Sequence, residues 1–164
     1  MSTQKKSASK TAVVGSKTIA RNKRARFDYI LEDTIEAGIV LVGTEVKSLR
    51  LGKASINEAY ASAENDSIYL INATIQEYPN ASQYNHDPTR PRKLLLKARE
   101  YKKLVGAIQR KGMTLVTMSL YFNSRGIVKC GIALGKGKQL HDKRATEKDR
   151  DWQKQKSRLL KTQD

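Results

Sequence analysis

Residues 113–134 read MTLVTMSLYFNSRGIVKCGIAL, and their alternation decides the fold. Apolar side chains recur at every second position on both sides of Asn123-Ser124-Arg125-Gly126. That is the pattern of two long strands, residues 113–122 and 127–134, joined by a tight turn with glycine at its end. Cys130 lies inside the second strand and is the only cysteine of the chain, so it is expected to be an inert core thiol.

Upstream, the chain keeps offering short strands. Phe27, Tyr29 and Leu31 alternate with Asp28, Ile30 and Glu32, and residues 35–46 (IEAGIVLVGTEV) are dense in β-branched side chains. Gly38 and Gly43 interrupt that run, as where a strand bulges or coils in a small barrel. Leu49-Arg50-Leu51-Gly52-Lys53 closes it as a turn, and Ser55-Ile56-Asn57-Glu58 has the N-cap and acid of a short helix or turn. Residues 59–63 and 68–71 read as strands around the hairpin loop Glu64-Asn65-Asp66-Ser67, and residues 74–78 as a further short strand. Residues 79–91, PNASQYNHDPTRP, form a long polar loop, the kind that is functional or mobile in a compact domain. Past Arg92-Lys93-Leu94-Leu95-Leu96-Lys97 comes one strong helix. Ala98, Tyr101, Leu104, Val105 and Ile108 fall at helical spacing, and Gly112 supplies the stop.

Many short strands with one or two inserted helices predict a mainly β protein built as a small closed barrel. An oligonucleotide-binding (OB) type barrel fits best, although glycine spacing does not separate it from an SH3-like barrel. Residues 1–20 hold Ser, Thr and Lys, and no acid precedes Asp28, so they are expected to be a disordered basic arm. Residues 21–135 are the expected barrel, and residues 136–164 a basic tail. In that tail Ala145, Trp152 and Leu159 recur every seven residues, which puts them on one thin stripe of a helix starting near Asp142. So polar a helix is marginal alone, and the tail is expected to be disordered when free and to fold against a large polyanion.

Charge selects the partner. The 164 residues carry 32 Lys and Arg against 16 Asp and Glu, a formal charge of +16. Such an excess attracts nucleic acid at long range. The chain holds no apolar run of the roughly 20 residues a membrane span needs, and residues 1–20 lack the apolar centre of a signal peptide. A cytoplasmic monomer without membrane contact is expected. Cations cluster at residues 21–26, 47–50, 90–97 and 136–144, while aromatics are only 6% of residues with a single Trp. Scarce stacking platforms favour a folded RNA recognised by shape and phosphates over a single strand. Asn22, Glu36, Asn85 and Asn123 are the polar side chains suited to base or ribose edges.

Catalysis finds little support. His86-Asp87 and His141-Asp142 are neighbours with no nucleophile evident, two histidines and one cysteine give no zinc spacing, and Gly135-Lys136-Gly137-Lys138 is not a Walker loop. Glu32, Asp33 and Glu36 are a magnesium candidate, more simply read as solvated carboxylates. No cofactor or metal is expected, and the chain is read as a non-enzyme.

Specific motifs then emerge. Asn22-Lys23-Arg24-Ala25, EAGIVLVGTEVKSLRLGKA (residues 36–54), DPTRPRKLLL (residues 87–96), Gly135-Lys136-Gly137-Lys138, His141-Asp142-Lys143-Arg144 and Trp152 together resemble the SsrA-binding protein family, also called small protein B. They run in family order over about residues 20–160. The resemblance implies an OB-fold barrel that binds the tRNA-like domain of transfer-messenger RNA (tmRNA, or SsrA RNA). It further implies delivery of that RNA to stalled ribosomes for trans-translation, with elongation factor Tu and alanyl-tRNA synthetase as indirect partners. On that carry-over Asn22, Lys23, Glu36, Arg92, Lys93, Leu94 and Leu95 touch the RNA, joined by Arg24 and Lys47 from the basic clusters. Lys136, Lys138, His141, Asp142, Lys143 and Arg144 anchor the tail at the small subunit's decoding centre, and Trp152 and Leu159 face the messenger channel. Pro91 departs from the family's usual residue and stiffens the loop beside Arg90. Two other readings stand beside this one: a generic OB-fold RNA-binding or ribosome-associated structural protein, and an RNA-processing enzyme using His86, Asp87 or His141.

Overall fold

A computed structural model describes residues 17–161 other than Ser82. Residues 1–16 of the expected arm lie outside the described residues.

The hairpin predicted from residues 113–134 is the wall of the molecule. Strands β8 (Thr114–Phe122) and β9 (Val128–Gly137) pair antiparallel from Thr114↔Gly135 to Phe122↔Val128, with an irregularity between Thr117 and Ser119. Around them stand β1 (Lys17–Arg21), β2 (Tyr29–Ile39), β4 (Tyr60–Glu64), β5 (Ser67–Ile71) and β7 (Arg92–Leu95). The pairing β8–β4–β5–β7–β2–β9 returns to β8, so six strands close a ring. β8 gives one flank to β9 and divides the other between β4 and β1. Glycine permits that crowding. A Cβ on Gly135 would stand 2.8 Å from Val116 Cγ2 and 3.2 Å from Tyr29 Cβ.

Inside the ring lie Ala37, Ile68, Leu70, Leu94, Leu115, Leu120, Cys130, Ile132 and Leu134. Burial pushes the Cys130 thiol up to about 12, so it stays protonated. Helix α3 (Ala98–Lys111) lays Leu104, Tyr101, Ala107 and Ile108 on this core, and Gly112 ends it in the left-handed conformation, φ 59°. The β4–β5 turn follows the same local logic, since Asn65 and Asp66 both take positive φ. A short pair, β3 (Ala54–Ser55) with β6 (Thr74–Ile75), covers a second cluster of Leu49, Ile75, Phe122 and Val128.

Three expectations are corrected. Residues 43–46, expected to end the strand of residues 35–46, and Leu49 and Arg50, expected in the turn after it, instead belong to helix α2 (Gly43–Arg50). Glu45, Ser48 and Leu49 fall at i, i+3 and i+4 on its buried face, and the Glu45 carboxylate accepts the Val42 N–H at 2.9 Å. Ser48 Oγ donates to the Gln76 carbonyl at 2.6 Å, fixing α2 over β6. Residues 17–20, expected in the arm, belong to β1, which pairs Lys17↔Phe122 through Arg21↔Ser119. The strand expected over residues 74–78 is only β6. The short α1 (Ala25–Asp28) links β1 to β2, and α4 (Leu140–Lys161) follows β9, beginning two residues before the expected Asp142. No helix among the described residues is long and apolar enough to cross a membrane.

Among the described residues one buried side-chain atom lacks a partner. Thr117 is fully buried, yet its Oγ1 has no hydrogen bond among the described residues. Thr117→Val removes that desolvated hydroxyl at constant shape, so stability should rise by about 1 kcal/mol. Urea denaturation with unchanged slope measures it, and a destabilised variant would show that the hydroxyl has a partner.

Candidate nucleic-acid interface

Strand pleating sorts residues by side. On β9 Cys130 and Ile132 face inward, so Lys129 faces out; on β2 Ala37 faces inward and Glu36 and Gly38 face out. The register sets Tyr121, Lys129, Gly38 and Leu95 directly abreast on β8, β9, β2 and β7. Diagonally, Glu36 accepts the Tyr121 hydroxyl and lies 3.9 Å from Lys129 Nζ. Burial, and then the Glu36 carboxylate, hold the Tyr121 hydroxyl above its ordinary range, so it remains a donor. Gly38 makes a dip in the band, since a Cβ there would be 3.2 Å from Leu95 Cβ. Half-exposed Leu95 and Val40 give the band an apolar floor, and outward Lys93, abreast of Tyr69, borders it. An acceptor, a phenol, two cations and an apolar floor over four strands suit a structured polyanion with splayed nucleotides.

A buried clamp sets β7 in place. Glu45 and Arg92 are each 0% exposed. Glu45 Oε1 accepts Arg92 Nε at 2.8 Å and Arg90 Nε at 2.8 Å, and Oε2 accepts Arg90 Nη2 at 2.6 Å. Arg92 also donates to the carbonyls of Ala73, Arg90 and Pro88, at 2.7, 3.1 and 3.0 Å. Burial pushes the Glu45 carboxyl up, but donation from Arg90, Val42 N–H and Arg92 outweighs it and holds the group below its ordinary range. Burial also pulls the Arg92 guanidinium down, against the Glu45 contact. The expected RNA contacts of Arg92 and Leu94 are therefore corrected. Alternation along β7 turns both inward, and Lys93 and Leu95 are the outward pair.

The remaining predicted residues divide in the same way. Asn22 is buried. Its Oδ1 accepts the N–H groups of Arg24 and Ala25, both at 3.1 Å, so it holds the turn that exposes Lys23 and Arg24. Lys47 projects from α2, its Nζ 5.5 Å from the Tyr78 ring centre. The polar loop is pinned at its end. His86 is buried, with Nε2 2.9 Å from the Ile75 carbonyl and Nδ1 2.9 Å from Thr44 Oγ1. A carbonyl only accepts, so Nε2 carries the proton. His86 and exposed His141 are not brought together, and no described group of three or more His, Cys, Asp or Glu is arranged to hold a metal.

At the tail's root, Lys138 N–H donates to the Asp28 carbonyl at 2.9 Å, and Lys138 Nζ donates to the Arg26 carbonyl at 3.0 Å and to Thr146 Oγ1 at 3.2 Å. Lys143 Nζ lies 3.5 Å from Asp28, and His141 Nε2 3.1 Å from Asp142. Lys136 and Arg144 are exposed, as is all of residues 147–160, Trp152 and Leu159 included. Tyr121 and Lys129 escaped the sequence reading. The signal was there, in the outward phase of the alternation that identified their strands.

The SmpB protein family matches residues 19–162. The SsrA-binding protein of Bradyrhizobium diazoefficiens is 59% identical over 145 residues, covering 88% of this chain and 92% of its own. Those of Rhodopseudomonas palustris strain HaA2 and Afipia carboxidovorans are 60% and 57% identical over the same shares. A solved chain described under "tmRNA-SmpB: a journey to the center of the bacterial ribosome" is 47% identical with a TM-score of 0.61, over 73% of this chain and 84% of that one. With a motif series, a fold and relatives that agree along its length, this chain belongs to the SmpB protein family.

Proposed function

We propose that this chain is an RNA-binding protein of trans-translation: it binds SsrA RNA (tmRNA) and works with it on the bacterial ribosome. The relatives' name and the complex containing the similar solved chain support both partners. We assign the closed ring to the OB type, the tRNA-like domain to the band of Tyr121, Lys129, Glu36, Gly38, Leu95 and Lys93, and the cytoplasm as its place of work. The observation that carries the assignment is Glu36, an exposed carboxylate fixed by Tyr121 and flanked by cations on an otherwise basic molecule. A fixed acceptor on a cationic face selects donors, and RNA offers base amines and 2′-hydroxyls. The tail, in this reading, is unfolded in the free protein and becomes ordered on the ribosome, where Lys136, His141 and Arg144 meet ribosomal RNA and Trp152 and Leu159 follow the messenger channel. Its uninterrupted exposure over residues 147–160 supports that division.

Lys93→Ala and Lys129→Ala test the band. Each should lower the slope of log affinity for tmRNA against log salt by roughly 0.7–0.9, the release from one phosphate contact. Filter binding at several salt concentrations measures it. Unchanged slopes would move the RNA off this face.

A further inference from the structure

Helix α3 carries a feature that the tmRNA face does not use. At about 100° per residue, Arg99, Lys103, Gly106 and Arg110 fall within roughly 60° of one another, opposite the core-facing Tyr101, Leu104 and Ile108. Lys102 borders the line, and all four cations are exposed. Lys103 reaches Asp33 at 2.8 Å, while Arg99, Lys102 and Arg110 have no ion-pair partner among the described residues.

Two details make this more than a solvated helix face. Arg99 lies in the first turn of α3, where the helix dipole disfavours a cation, so the fold gains nothing from its charge. Gly106 lies mid-helix, where glycine is destabilising relative to alanine. An added Cβ there would meet nothing within 4 Å, so the protein's own packing does not require glycine. A glycine in the middle of a cationic line leaves room for a partner's backbone to come close.

We infer that the outer face of α3 is a second RNA-docking surface, taking ribosomal RNA phosphates along Arg99, Lys102 and Arg110 with Gly106 at the point of closest approach. The charge complementarity fixes the chemistry, and the neighbourhood fixes the source. Three residues past the helix, Thr114 is paired with Gly135, so the C-terminal end of α3 stands beside the strand end from which the tail departs. The inference rests on the reading that the tail meets the ribosome; α3 then approaches the same body from the adjoining side.

The test uses the full chain bound to tmRNA, with purified ribosomes stalled on truncated messages, and compares Arg99→Gln/Arg110→Gln with Gly106→Ala. The double variant should associate with ribosomes on the order of tenfold more weakly at 0.15 M salt, with a salt slope lower by about 1.4–1.8 and unchanged affinity for tmRNA alone. Gly106→Ala should raise Tm by about 3 °C while weakening ribosome association several-fold. Ribosome association unchanged in either variant overturns the inference, as does a loss in the tmRNA arm, which would give the stripe to tmRNA. A lower Tm for Gly106→Ala also overturns it, because the fold itself would then need the glycine. Failure of the unmodified chain to bind tmRNA or ribosomes would instead refute the proposed function.

Discussion

Glu45→Ala is expected to destabilise this protein by about 3–5 kcal/mol, which for a domain of this size lowers Tm by roughly 10–20 °C. The substitution removes the carboxylate between Arg90 and Arg92 and leaves the Arg92 guanidinium charged and wholly buried. It also removes the acceptor of the Val42 N–H, so α2 loses its N-terminal hydrogen bond as the loop loses its anchor. Calorimetry measures the effect. Adding Arg92→Met to Glu45→Ala should recover part of it, since the uncompensated charge goes while the carbonyls of Ala73, Pro88 and Arg90 lose a donor. A drop below 1 kcal/mol for Glu45→Ala would show that water reaches the site and that the clamp is not the anchor. The pH dependence has a fixed sign. Because the folded Glu45 carboxyl is held below its unfolded value, its contribution is present above the unfolded value and is lost as pH falls through the folded one. Stability of the unmodified chain should therefore fall in acid more steeply than that of Glu45→Gln.

Truncation after Gln139 is the second large effect. It should leave Tm and tmRNA affinity unchanged while tagging on stalled ribosomes falls to background. The cut belongs there because Gly137 pairs with Tyr29 and Lys138 donates to Asp28, so an earlier cut would shorten β9 and confound folding with function. Beyond it, Lys143 and Thr146 touch α1 and Lys138, and residues 147–160 are exposed throughout. Little buried apolar area is lost, so little stability is lost. Reconstituted trans-translation with the truncated chain and tmRNA measures it. Tagging by the truncated chain would sink the division of labour between ring and tail.

The parts of the fold that were legible in the sequence are those decided locally. The β8–β9 hairpin, the β4–β5 turn at Asn65 and Asp66, and α3 with Gly112 each combine a periodic pattern with a residue suited to positive φ. Helix α2 was not legible. Its β-branched residues Thr44 and Val46 suit a strand, and what makes it a helix is a carboxylate whose arginine partners lie 45 and 47 residues away. The candidate site was half legible for a related reason. Arg90, Arg92 and Lys93 look alike as a run of charge, and only the pleat of β7 separates the inward arginine from the outward lysine. Asn22 carries the right chemistry for a base edge, yet its oxygen is taken by its own turn. Tyr121 and Lys129 become neighbours of Glu36 only when β2, β9 and β8 are laid side by side.

The single thiol has a practical consequence. Sealed inside the ring, Cys130 meets an alkylating reagent only in molecules whose wall has opened. Its labelling rate in native buffer therefore reads global opening directly, without denaturant or added dye. The same rate followed with tmRNA bound would report how far the nucleic acid holds the ring shut.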